Sequence, residues 1–129
     1  MPRIASMVRF LCLAALLVSA CGKAKDPAVK AVQDYLAALV SKDGNSISAL
    51  SCADWESNAR LELDSLQAVT TRLENLSCAT SGKDGATTLV SCQGKIIATY
   101  NNEDQQLDLS VRVYQVVQQG GEYLVCGYK

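Results

Sequence analysis

The sequence predicts one α+β domain in which helices near the amino-terminal end pack on an antiparallel sheet. Apolar residues recur at helical spacing from residue 28 to about residue 66. After residue 68 most apolar residues instead alternate with polar ones, which is the period of a strand. Helices that precede a run of strands indicate an α+β fold with the helices on one face of the sheet. The 129-residue chain is long enough for one such domain with one core.

The first 20 residues have the layout of a secretory signal. Arg3 and Arg9 make the start basic, and Phe10–Val18 is an apolar run that small residues follow. At about 1.5 Å per residue this run is well short of the roughly 30 Å core of a bilayer, so we expect no permanent membrane span from it.

The stretch Val18-Ser19-Ala20-Cys21 closely resembles the lipobox of bacterial prolipoproteins. The resemblance implies that the chain is cut before Cys21 and that the Cys21 sulfur carries a diacylglyceryl group, so that fatty acids such as palmitate anchor the protein to a membrane. The chain then divides into a signal peptide (1–20), a lipidated tether (21–27) and an α+β domain (28–129) outside the cytoplasm, in the cell envelope. Gly22 stands where an inner-membrane retention signal has Asp, which favours the outer membrane in an organism that has one and otherwise the cell membrane. The alternative is an ordinary signal peptide that leaves Cys21 as a free thiol.

The first helix is predicted from Asp26 to about Lys42. Asp26 is a good N-cap, and Pro27 suits the first helical position because an N–H there would have no partner. Gly44 is placed to end the helix in a left-handed turn. Tyr35 on its apolar face is predicted as a core aromatic residue with its hydroxyl at the edge, and the alternative is that it lines a ligand cavity. The rest of that face consists of Ala28, Val29, Val32, Leu36, Leu39 and Val40.

Two further helices are predicted before the sheet. Asn45–Leu50 forms a short helical turn, and Ser51-Cys52-Ala53-Asp54 resembles a capping box at the start of a third helix. Trp55, the one tryptophan of the chain, is predicted as a core residue, and the alternative is a stacking surface for a ligand. It begins a run in helical phase that continues with Ala59, Leu63 and Leu66.

The next two elements are predicted as strands. Residues 68–80 also fit a helical repeat, but a bulge near Asn75 makes their alternation consistent with one strand. A second strand covers residues 87–100, and Gly94 allows a bend in it. One face of this second strand is formed by Val90, Cys92, Ile96, Ala98 and Tyr100.

The last part is predicted as a meander. Asn101–Asp104 indicates a hairpin turn, because Asn tolerates a positive φ. A strand follows in which Leu107, Leu109, Val111 and Val113 face inward and Asp108, Ser110, Arg112 and Tyr114 face outward. Gln119–Glu122 indicates a second turn, and Tyr123–Tyr128 a closing strand.

This order of elements resembles the NTF2-like (cystatin-like) domains of small bacterial lipoproteins. The likeness rests on the opening helix Asp26–Lys42, the strand Gln93–Tyr100 and the ending Tyr114–Gly127, and it covers about 28–129. It implies a curved sheet of three or four strands wrapped over the first helix, with a cone between them that is either a pocket or filled core. It is a likeness of element pattern and carries no activity with it.

Four cysteines remain once Cys12 leaves with the signal and Cys21 takes the lipid. An even number in a small exported domain indicates two disulfides. We favour Cys78–Cys92, which would join adjacent strands, together with Cys52–Cys126. The alternative joins Cys52 to Cys78 and Cys92 to Cys126. A zinc site is disfavoured because no two cysteines are spaced as Cys-x-x-Cys and the chain has no histidine.

The sequence offers little for catalysis. General acid–base chemistry needs a positioned His or a carboxylate with a shifted pKa, and the acid pairs Asp54/Glu56, Glu62/Asp64 and Glu103/Asp104 are predicted on solvated surfaces. The resemblance implies that the family's enzymes use Asp–His or Tyr–Asp groups inside the cone, whereas Asp108, Arg112 and Tyr114 are predicted opposite the core. We therefore predict a protein that is not an enzyme and needs no cofactor or metal. A net charge of −1 without clustered Lys or Arg predicts no nucleic-acid partner.

Two functions remain, and they use different surfaces. In the favoured one, the domain is an interaction or envelope-structural module that meets a protein partner or a second copy through an open sheet face with Arg112, Tyr114 and Val116. In the alternative, it binds a small apolar or amphipathic molecule in a cone lined by Tyr35, Trp55 and Tyr100. A well-formed apolar cavity with a few convergent polar groups would favour the alternative.

Overall fold

The computed structural model describes residues 26–129, in which three helices pack on one face of a five-stranded antiparallel sheet. This confirms the predicted α+β class, with more strands than the three or four expected. The signal peptide, the lipid site at Cys21 and most of the tether lie outside the described residues. Within residues 26–129 no helix is both long and apolar enough to cross a membrane. The elements in chain order are α1 (Pro27–Ser41), α2 (Gly44–Leu50), α3 (Ala53–Ser65), β1 (Thr70–Asp84), β2 (Thr87–Tyr100), β3 (Glu103–Asp108), a 3₁₀ turn (Leu109–Val111), β4 (Val113–Gln119) and β5 (Glu122–Tyr128).

Helix α1 begins and ends about where it was predicted to, but the residue that ends it is not the predicted one. The Asp26 carboxylate accepts a hydrogen bond from the Ala28 N–H at 2.9 Å, and Pro27 occupies the first turn. The left-handed residue that ends the helix is Lys42, with φ of 61°, and not Gly44. Gly44 instead begins α2, because the neighbouring Asp43 caps that helix by accepting from the Ser46 N–H. The Lys42 ammonium also donates to the Val69 carbonyl, a tertiary contact that helps hold the turn.

Helix α3 lacks the predicted capping box. The Ser51 hydroxyl donates to the Ile47 carbonyl of α2, and the N-cap, Cys52, makes no side-chain cap. The start of α3 is fixed by β5 instead, because the Cys52 N–H donates to the Val125 carbonyl at 3.0 Å. Cys52 also lies at disulfide distance from Cys126, with their Cα atoms 5.2 Å apart.

The sheet has the order β1-β2-β4-β5, and β3 also pairs with β2. The first half of β2 pairs with β4 and the second half with β3, so the long strand β2 has two partners along one edge. The predicted bulge in β1 is confirmed, because Asn75 has φ of 53° where the register with β2 shifts. Gly94 faces it with φ of 98°, and a Cβ there would come within 2.5 Å of the Glu74 carbonyl oxygen, so only glycine fits. Across the same strand pair Cys78 and Cys92 lie at disulfide distance, with Cα atoms 4.0 Å apart.

The predicted single strand from Leu107 onward is wrong, because the 3₁₀ turn divides it into β3 and β4. The turn begins where the Asp108 carboxylate accepts from the Ser110 N–H. It reverses the alternation that follows: Val111, predicted inward, is 70% exposed, whereas Tyr114 and Val116, predicted outward, are fully buried. The proposed partner face of Arg112, Tyr114 and Val116 therefore does not exist as an exposed surface.

One hydrophobic core fills the space between the helices and the concave face of the sheet. The two largest fully buried side chains of this core are aromatic, Tyr35 from α1 and Tyr114 from β4. Their ring centroids are 6.4 Å apart. The aliphatic part of this core includes Val32, Leu36, Leu39, Ile47, Val90, Leu109, Val116 and Val125. Much of the cone that the fold creates is therefore filled.

Candidate functional site

The cone stays open at one end, between the last turns of α3 and the second half of β2. The half-open cavity there has a volume of about 310 Å³. Strands β2 and β3 and the residue after the 3₁₀ turn supply the opposite wall. The lining residues are Glu62, Ser65, Leu66, Ile96, Ala98, Gln105, Gln106, Leu107 and Arg112. Apolar side chains thus combine with a few polar groups, the composition typical of small-molecule sites.

An ion pair between Glu62 and Arg112 forms the charged part of the lining. Arg112 Nη1 donates to Glu62 Oε1, and each side chain is only 15% exposed. The Arg112 guanidinium also lies over the ring of Tyr128, with 4.0 Å from its central carbon to the ring centroid. Because this ion pair has little contact with water, neighbouring groups must compensate the two charges for the hydration that they have lost.

Tyr35 holds the other oxygen of Glu62, and Trp55 in turn holds Tyr35. Tyr35 Oη donates to Glu62 Oε2 at 3.2 Å, and Trp55 Nε1 donates in turn to Tyr35 Oη at 3.2 Å. Burial raises the pKa of Tyr35 far above its usual value, and the negative charge of Glu62 raises it further. Tyr35 therefore keeps its proton and stays a donor, so that both carboxylate oxygens of Glu62 are occupied.

Tyr114 lies behind the ion pair and packs between two other tyrosines. Its ring is 6.4 Å from that of Tyr35 and 5.7 Å from that of Tyr128. Burial raises the pKa of the Tyr114 hydroxyl, and the neighbouring Arg112 partly opposes this. Burial also disfavours the charged form of Arg112, but Tyr114 and Glu62 outweigh it and raise the pKa of Arg112. Within residues 26–129 the Tyr114 hydroxyl has no hydrogen bond of normal geometry.

None of the three residues predicted to line a pocket lines this cavity. Tyr35 is fully buried and Trp55 is half-buried against Tyr128, so both fill the closed part of the cone. Tyr100 is 60% exposed and lies beyond the cavity at the end of β2. Its position at the strand end leaves it outside the core.

The central residue that sequence reasoning missed is Glu62, which was assigned with Asp64 to a solvated surface. Glu62 follows Ala59 by three positions and precedes Leu66 by four, so it borders the apolar face of α3. That spacing was the available signal. Its partner Arg112 is 50 residues away in sequence, and no local pattern indicates their contact.

The arrangement is suited to binding more than to proton transfer. A ligand group in the cavity would meet donors on Arg112, Gln105 and Gln106 and the hydroxyl of Ser65. The carboxylate of Glu62 is engaged on both oxygens, which leaves it poorly available as a general base. In the described part of the chain no three His, Cys, Asp or Glu side chains come together as a metal site.

Comparisons with known proteins identify the fold. No family model and no curated protein matches the chain. Among solved structures, Aln2 from a Streptomyces species is similar with a TM-score of 0.56 and 11% identity, over 79% of this chain and 85% of that one. A candidate ketosteroid isomerase from Shewanella frigidimarina has the same TM-score and identity, over 81% and 94%. A SEC-C motif-containing protein from Rhodopseudomonas palustris has a TM-score of 0.51 and 12% identity, over 77% and 74%. These likenesses support the NTF2-like fold and no more than the fold.

Proposed function

We propose that the domain is a binding module that holds a small, uncharged, amphipathic molecule in the open end of its cone. The observation that carries this proposal is the half-open apolar cavity with the Glu62–Arg112 pair in its wall. Its volume of about 310 Å³ lies at the lower end of the roughly 300–1,000 Å³ range of ligand pockets. A small molecule therefore fits better than a peptide.

The charges of the lining favour a neutral ligand. Glu62 and Arg112 compensate one another, so a second anion would be repelled by Glu62 and a second cation by Arg112. A hydroxyl or carbonyl group needs no counter-charge and can accept from the N–H groups of Arg112 that Glu62 leaves free. We therefore expect a hydroxyl- or carbonyl-bearing molecule with an apolar body.

The alternative functions have less support. The partner-binding hypothesis loses its surface, because Tyr114 and Val116 are buried; a protein partner or a homodimer remains a prediction without an assigned site. Catalysis is supported only by a fold likeness at 11% identity to a candidate ketosteroid isomerase. We propose a non-catalytic role because the chain has no histidine and both oxygens of Glu62 are already bound.

Filling the cavity tests the proposal. Ala98 lines the cavity, whereas Thr99 is next to it on β2 and faces the other side of the sheet. Binding of hexan-1-ol and cyclohexanol is measured by the changes in amide chemical shifts at the cavity wall. We expect Ala98→Phe to abolish this binding and Thr99→Phe to preserve it. Equal binding by both variants, or shift changes remote from the cavity in the parent chain, would refute the proposal.

We further propose that the module is held at a membrane by lipid on Cys21. The lipobox-like stretch supports this, and the two cysteine pairs at disulfide distance are consistent with an oxidising compartment outside the cytoplasm. Helix α1 starts at Pro27, six residues after Cys21, and six residues reach about 22 Å at most, so the domain would lie close to the bilayer. Cys21→Ser should abolish incorporation of labelled palmitate and leave uncut precursor; equal label in both proteins would disprove the anchor.

A further inference from the structure

Three large apolar side chains are exposed in residues 26–129, and each is one or two positions along the chain from a residue that lines the cavity. They are Leu61, Tyr100 and Val111, with exposed fractions of 67%, 60% and 70%. Leu61 precedes Glu62 and is one helical turn before Ser65, while Val111 precedes Arg112. Tyr100 follows Ala98 by two positions and so lies on the same face of β2. We call these three residues the apolar border.

The border makes the polarity of the site unusual, because the charged pair lies inside and apolar side chains lie outside. A ligand that entered with its hydrocarbon end first would strip the Glu62–Arg112 pair of water and return no hydrogen bond. A ligand that entered with its polar end first would satisfy that pair. Its hydrocarbon end would then meet Leu61, Tyr100 and Val111, which are otherwise in water.

We propose that the ligand is a single-chain neutral amphiphile that binds with its polar end against Glu62 and Arg112 and its hydrocarbon chain along the apolar border. The cavity of about 310 Å³ holds the polar end and the first part of the chain, and the remainder lies on the border. This inference rests on the proposed function and adds the ligand class and its orientation. A medium- or long-chain alcohol or monoacylglycerol has the required chemistry.

The chain-length dependence of binding tests the ligand class. Hexan-1-ol, octan-1-ol and decan-1-ol are titrated into the full chain, and binding is followed at the amides of Ala98 and Leu107, so that binding elsewhere on the chain is not counted. We expect Kd to fall by about two- to fourfold for each added methylene, the upper value being that of a fully buried methylene. Val111→Ser should reduce this gain for decan-1-ol but leave hexan-1-ol binding unchanged, and Val111→Ile should restore the gain.

Nuclear Overhauser contacts in the decan-1-ol complex test the orientation. The terminal methyl should contact Val111 and Leu61 methyl groups, and the methylene next to the hydroxyl should contact Ile96 and Leu107. The reverse pattern, or equal Kd values for the three alcohols, would overturn this inference while leaving the proposed function intact. Failure of all three alcohols to shift the amides of the cavity wall would overturn both.

Discussion

The ion pair that lines the cavity gives a sharp stability prediction for Arg112→Met. The variant keeps most of the side-chain volume but leaves the Glu62 carboxylate, which is 15% exposed, without its cation. Breaking a buried pair in this way costs about 3–5 kcal/mol, and loss of the contact over Tyr128 adds about 0.5–1 kcal/mol. Because some exposure remains, we expect a loss near the lower end, about 3 kcal/mol. That is a large share of the roughly 5–15 kcal/mol that stabilises a domain.

Urea unfolding at pH 7, followed by circular dichroism, measures this loss. The double variant Glu62→Gln/Arg112→Met removes both charges, so it should recover at least about 1.5 kcal/mol relative to Arg112→Met alone. Arg72→Met is the matched control, because Arg72 is 51% exposed in its ion pairs with Glu74 and Asp104 and should cost about 1 kcal/mol or less. A double variant no more stable than Arg112→Met would show that Glu62 does not depend on Arg112.

Two further predictions concern the Cys52–Cys126 pair and the N-cap of α1. Replacing Cys52 and Cys126 together by Ser should lower the free energy of unfolding by about 4 kcal/mol, because their pairing closes a loop with a sequence separation of 74. If the urea midpoint of the parent chain were the same with and without reductant, this prediction would be contradicted. The hydroxyl of Thr80 and the Ala28 N–H hold the pKa of Asp26 below its usual value, so the stabilisation is present above about pH 4 and is lost as the pH falls through the lowered pKa. Asp26→Asn should therefore lose less stability than the parent between pH 5 and pH 2 in urea titrations, and an equal loss would exclude this role.

Elements whose signals are local could be predicted from the sequence. Asp26 and Pro27 set the start of α1, and the alternation in β2 together with the turn at Asn101 and Asn102 set the second hairpin. The bulge at Asn75 was also predictable, because one extra residue in a strand is what shifts the phase of its alternation. The structure brings together both favoured cysteine pairs, Cys78–Cys92 on adjacent strands and Cys52–Cys126 as the pair that remains.

The candidate site was not predictable in the same way. The alternative hypothesis from the sequence lined a pocket with Tyr35, Trp55 and Tyr100, whereas the cavity wall contains Glu62 and Arg112 instead. The first two aromatic residues were correctly placed on apolar faces, but whether such a face fills a cone or lines it depends on how closely the elements approach. That distance is a property of the packed molecule.

The sequence by itself determined the fold class, because hydrophobic period and turn chemistry act within a few residues. Only the tertiary structure decided which way the chain faces after Asp108, where a single 3₁₀ turn exchanges the inner and outer sides of β4. It also decided that the Glu62 side chain is only 15% exposed, because the compensating charge of Arg112 comes from 50 residues away. Burial of a charge depends on its partner, and the partner is chosen by packing.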